Sequence, residues 1–201
     1  MISFISKRIA LFLFDNGIVD EEKKQICQYG FEIIISTAVG FLLVAITGAV
    51  MNSFGKAMLF YILFVGVRMF TGGYHADTHL KCKLILFLCS LSVISVSEYI
   101  SEINSLYMNI ALLIPYWITV LLFVPVAHTD TVLTECEKKR NKIISVVMAV
   151  ALSAMILMGY RKVPEFSFVS SLTMFVVAVL IIISKINERR NKNEQVNREN
   201  S

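Results

Sequence analysis

The run Phe31-Glu-Ile-Ile-Ile-Ser-Thr-Ala-Val-Gly40-Phe-Leu-Leu-Val-Ala-Ile-Thr-Gly-Ala-Val50-Met51 carries one charge, Glu32, and none from Ile33 onward. A hydrocarbon core about 30 Å thick is crossed by a helix of about 20 apolar residues, and this run meets that requirement. Similar runs recur near 57–71, 84–101, 107–126, 143–160 and 166–184. With 56% hydrophobic residues and a mean hydropathy of +0.70, the 201-residue chain is too apolar for a soluble domain. A backbone in lipid must satisfy its own hydrogen bonds, which helices do within one segment. The expected fold is therefore an all-α polytopic membrane protein with about six transmembrane helices. The 57–71 run is the shortest and contains Arg68; it is expected to tilt little, to thin the bilayer locally, or to reach only part way.

Ahead of the first span, Ser3-Phe-Ile-Ser-Lys-Arg-Ile-Ala10-Leu-Phe-Leu-Phe14 mixes apolar and basic residues at a spacing that segregates on a helix. Such a helix lies in the interface of an anionic leaflet. A signal peptide is the competing reading. It lacks a small-residue cleavage site after a proper apolar core, and Asp15-Asn16-Gly17 breaks the run early. A second helix near 18–29, charged at Asp20 to Lys24, leads into the first span. The chain thus reads as one membrane-embedded domain over 1–201, with interfacial amphipathic helices at 1–30, a transmembrane core at 31–184 and a polar tail at 185–201. No internal repeat is evident.

Positive charge is retained in cytoplasmic loops. With six spans and the N-terminus inside, only Lys56, Arg161 and Lys162 of the 19 basic residues fall outside. Both termini and the loop near 72–83 are then cytoplasmic. The net charge of +4 reads as membrane orientation; the lipid bilayer is the partner it implies, with no nucleic acid. The loop from Pro125 to Arg140 reads first as solvated surface, with partner recognition as its alternative. Under this topology Cys27, Cys82, Cys89 and Cys136 lie at the cytoplasmic side or within spans, where disulfides are not expected.

Chemistry concentrates in Arg68-Met-Phe-Thr-Gly-Gly-Tyr-His75-Ala-Asp-Thr-His79-Leu-Lys-Cys82. A thiol is a nucleophile only as thiolate, and a nearby imidazole can take its proton. Cys27, Cys89 and Cys136 read as packing cysteines. Cys82 differs, because Lys81 and Lys83 flank it near the start of a span, where the helix dipole and adjacent cations favour thiolate. On one straight helix, His75 and Cys82 would lie about 10.5 Å apart along the axis. Gly72 and Gly73 allow a loop to fold His75 back, whereas His79 is already within one helical turn of Cys82. Asp77 could orient either imidazole. Spacing alone leaves the base role open between His75 and His79. Arg68 and Glu32, at similar depth on neighbouring spans, could pair; Arg68 would then orient the loop or bind a substrate carboxylate, its plainer role being to snorkel to the headgroups.

Two rival classes remain in view. His75, His79 and Cys82 could be three zinc ligands of a metal-binding membrane protein or metalloprotease. The zincin pattern, however, needs glutamate after the first histidine, and here that residue is Ala76. A transporter would place ionisable residues near the bilayer midplane, whereas here they gather at one face.

Arg68, Gly72-Gly73, Tyr74-His75-Ala76 and Cys82 between two apolar runs resemble the accessory gene regulator B (AgrB) family of quorum-sensing membrane peptidases. The likeness extends over most of the chain, including Tyr29-Gly30-Phe31-Glu32 at the first span. It departs after Pro125, where many members carry an Asn-Lys-Pro turn and this chain has Val132-Leu133-Thr134. The resemblance implies a cysteine endopeptidase with His75 and Cys82 as catalytic pair, supported by Arg68 and Gly73, and without cofactor or metal. It also implies a homodimer and an AgrD-like propeptide substrate, whose C-terminal tail is removed and whose remainder closes to a thiolactone or lactone.

Overall fold

The computed structural model describes residues 2–71, 79–100, 105–124 and 135–199. Among them run seven helices and no strand: α1 (Ile2–Asp15), α2 (Glu21–Val50), α3 (Phe54–Thr71), α4 (His79–Ile100), α5 (Leu106–Phe123), α6 (Glu135–Gly159) and α7 (Pro164–Glu199). Helices α2 to α7 are each long and apolar enough to cross a membrane. The protein is thus an all-α polytopic membrane protein, as the runs of apolar residues predict. At 18 residues, α3 is about 27 Å long, enough for an upright crossing.

Two boundaries differ from the sequence reading. The helix expected near 18–29 and the first span form one 30-residue helix, α2, because Gly30, although a weak helix former, is flanked by residues whose helical bonds continue. The polar tail continues α7 as helix to Glu199. No proline or glycine interrupts Asn187 to Glu199, and its Glu, Arg, Lys and Gln residues are good helix formers.

Helix α1 ends at a turn where Gly17 takes φ +67° and Ile18 N donates to Leu13 O at 3.0 Å, a left-handed helix end of the kind glycine favours. It folds back on α2, burying Ser6 and Ala10 and leaving Phe4, Phe12, Lys7 and Arg8 exposed. The α2–α3 hairpin is a tight joint. A Cβ placed on Gly48 would stand 2.5 Å from the Ala57 Cβ and 3.1 Å from the Phe54 Cα, so small residues are what let these backbones approach.

Successive spans alternate in direction, so α3, α5 and α7 run parallel, and α7 packs against both of the others. It also touches α4 and α6, and 61% of its most apolar stretch is buried, against 22% for α2 and α6. The last span is therefore the centre of the bundle. Its packing face is unusually rich in hydroxyls: Ser167, Ser170, Ser171 and Thr173 are all buried. Most return their protons to the carbonyl four residues back, as Thr173 does to Val169 at 2.7 Å, which satisfies the hydroxyl inside its own helix. Ser171 also donates to Asn109 Oδ1 of α5 at 2.7 Å, and Trp117 Nε1 of α5 donates to Ser153 of α6 at 3.1 Å. Polar pairs of this sort join helices in lipid, where apolar surfaces alone have little reason to prefer one another.

Candidate functional site

Helix α4 begins at His79, so Cys82 lies in its first turn. The first four N–H groups of a helix lack intrahelical acceptors, and the N-terminal dipole end favours a negative group there. Cys82 is half-buried. Beside it, Lys83 sends its ammonium across to α2, where Nζ donates to the Ser36 carbonyl. Arg68, in the last turn of α3, is close enough to act electrostatically on Lys83 and on Cys89, and Cys82 acts on Lys83 in the same way. The end of α3 and the start of α4 thus bring Arg68, Cys82 and Lys83 into one neighbourhood.

Arg68 is half-buried, with its guanidinium 5.6 Å from the Phe64 ring centroid, a cation–π distance that holds the charge against its own helix. Glu32 is half-buried on α2. Glu32, Ser36 and Gly40 succeed one another at intervals of four, so they share a stripe of α2, and Lys83 meets that stripe at Ser36. Glu32 and Arg68 therefore stand toward the same end of neighbouring helices. Of the other residues predicted for the site, Gly72, Gly73, His75 and Asp77 lie outside the described residues. That includes the third ligand the zinc reading would need. His79 is the first residue of α4, which puts its backbone on the same turn as Cys82.

A second cluster, which the sequence reading did not single out, occupies the opposite end of the bundle. Lys56, with only 10% of its side chain exposed, bridges Glu98 of α4 at 2.8 Å and Glu165 of α7 at 2.9 Å. Ser53 also donates to Glu98. An ionisable side chain in a span has a partner as a rule, and Lys56 has two, on two different helices. The signal was present in the topology: Lys56, Glu98 and Glu165 each lie at a span end that six alternating crossings place on one side.

Fold and site together define a class: a multi-pass α-helical membrane protein with one of its described cysteines, Cys82, next to Lys83 at the start of a span helix. The accessory gene regulator B family profile matches residues 6–187, and the chain belongs to the AgrB family. It is a membrane protein of the accessory gene regulator system. Over 148 residues it is 29% identical to AgrB-like protein 2 of Clostridium perfringens (strain 13 / Type A), covering 71% of this chain and 69% of that one. It is 27% identical over the same length and coverage to an AgrB-like protein of C. perfringens (strain SM101 / Type A). No solved structure matches the chain.

Proposed function

We propose that the protein is a membrane cysteine endopeptidase that removes the C-terminal tail of an AgrD-like quorum-sensing propeptide and closes the remainder into a thiolactone or lactone. The observation that carries the proposal is the setting of Cys82, in the first turn of α4 with Lys83 beside it and Arg68 at the facing end of α3. Family membership supports the same reading.

In this mechanism the Cys82 thiolate attacks the carbonyl that joins the signal segment to the tail. The tetrahedral intermediate collapses with loss of the tail, whose departing nitrogen takes a proton from the His75 imidazolium. A thioester to Cys82 remains. The propeptide's own thiol or hydroxyl then attacks that carbonyl, His75 accepts its proton, and Cys82 leaves again as thiolate. Exchange of one thioester for another changes energy little, so ring closure depends on holding the internal nucleophile close and keeping water back. Arg68 positions the substrate, with Gly72 and Gly73 supporting the site, Asp77 orienting the imidazole and Glu32 supporting Arg68.

The same reading has both termini and the active-site loop in the cytoplasm, where a new propeptide is made, one functional domain over the whole chain, α1 in the headgroup region, and a homodimer. Reconstituted protein and propeptide, assayed for tail release by mass spectrometry, test the chemistry: a chelator leaves release unchanged, and inhibition by it would favour a metal site. Labelling of single cysteines with a membrane-impermeant reagent tests the orientation. Residues 72–83 should react from the cytoplasmic face and residues 161–163 from the other, and the reverse pattern would defeat the assignment.

A further inference from the structure

Lys83 is the second residue of the apolar stretch Cys82–Ile100, a position where a long basic side chain ordinarily turns outward to the headgroups. This one does not. Its ammonium reaches sideways to the Ser36 carbonyl of α2, and the path passes Gly40. A Cβ on Gly40 would stand 3.3 Å from Lys83 Nζ, 3.0 Å from Leu86 Cδ2 and 3.8 Å from the Tyr61 ring, so the space that holds the ammonium exists because residue 40 has no side chain.

Helix α2 does not need this contact. Ser36 lies in mid-helix, where its carbonyl already receives the N–H four residues on, and a carbonyl can be left with one lone pair unused. Helix packing does not need it either, since leucine or methionine would fill the gap without desolvating a charge. What the contact does is fix a positive charge beside Cys82, within electrostatic reach of a second cation, Arg68.

We infer that Lys83 is a positioning residue for Cys82: anchored on the Ser36 carbonyl in the space left by Gly40, it clamps the first turn of α4 to α2 and holds the cation that keeps the thiol ionised. The anion it serves is the thiolate, and in turnover the oxyanion formed next to it. The inference rests on the reading of Cys82 as nucleophile, but its test needs no substrate.

The experiment uses full-length protein in lipid vesicles, with Cys27, Cys89 and Cys136 replaced by alanine so that Cys82 is the one thiol. Iodoacetamide alkylation is timed at pH 7 and at pH 9.5. Among the described residues, the other charged and titratable groups toward this end include Glu32 on α2, Tyr61 and Arg68 on α3, His79 and Lys81 on α4, and Lys185 on α7; they are the same in every variant. Lys83→Met should slow alkylation at pH 7 by roughly tenfold, the factor that one unit of thiol ionisation is worth. The deficit should close at pH 9.5, where an ordinary cysteine is largely thiolate. Lys83→Arg, which keeps the charge, should recover most of the rate. Gly40→Ala, which crowds the ammonium off its carbonyl, should fall between, and it carries the test if Lys83→Met does not fold. Equal rates for parent and Lys83→Met at pH 7 would overturn the inference. A deficit that persists in full at pH 9.5 would also overturn it, since access to the thiol and not its ionisation would then have changed. Whether Cys82 is the nucleophile at all is judged separately, by tail release in Cys82→Ala.

Discussion

The two ends of the bundle handle charge in opposite ways. At one end Lys56 is shared by Glu98 and Glu165, so that α3, α4 and α7 are joined by opposite charges at 2.8 and 2.9 Å. At the other, Arg68 and Lys83 are two cations within electrostatic reach of each other, one leaning on an aromatic ring and the other on a backbone carbonyl. The first arrangement is compensated by the protein itself and favours rigidity. The second gathers like charges, which under the proposed function would favour a thiolate or a substrate oxyanion beside them. A single lysine on a span end says little in either case; what surrounds it decides whether it fastens helices or serves chemistry.

The largest expected effect sharpens that contrast. Cys82→Ala should abolish tail release measured by mass spectrometry, while Cys27→Ala and Cys89→Ala should retain it; appreciable release by Cys82→Ala would leave the cationic end without its assigned chemistry. Next come the histidines. His75→Ala should lower the rate by about 10² to 10⁴, as loss of general acid or base help does, and His79→Ala by far less. The reverse order would give the base role to His79 of α4 and take it from His75.

At the fastened end, Gly48→Val should push α2 off α3, costing about 1 to 3 kcal/mol as overpacked joints do. A detergent-unfolding series would register this as a lower midpoint. Lys56→Met should cost about 1 to 2 kcal/mol, below the range for a fully buried pair because both carboxylates are partly exposed, and the variant that remains folded should turn over at the parental rate. Loss of turnover in folded Lys56→Met would mean that the two ends are coupled. Trp117→Phe, which deletes the hydrogen bond to Ser153, should shift the same midpoint least, by about 0.6 kcal/mol.

Most of the fold was legible because the apolar runs are long and separated by charges, and hydropathy is a strong signal where lipid replaces water. The exceptions have local causes. The helix read near 18–29 and the first span are one continuous α2, and the stretch read only as a polar tail is helical to Glu199 because its residues favour helix. At the site, Cys82 and its place at a helix start could be read from spacing, as could the closeness of Arg68. The reach of Lys83 to Ser36 could not, since it depends on how α2 crosses α4. Lys56, Glu98 and Glu165 went unread for a similar reason: they are 42 residues or more apart, and only the alternation of spans brings them level.

The central position of α7 has a consequence in time. Spans enter the membrane in the order in which they are synthesised, and the helix that touches α3, α4, α5 and α6 is the last of the six to be made. Until it arrives, those four helices have no shared partner, and the faces that α7 covers, Asn109 among them, remain turned to lipid. The ionic fastening through Glu165 cannot precede it, although α4 can already pack on α2 and α3. Assembly is therefore completed by the final span, and a chain halted before Pro164 would lack the helix on which α3, α4, α5 and α6 converge.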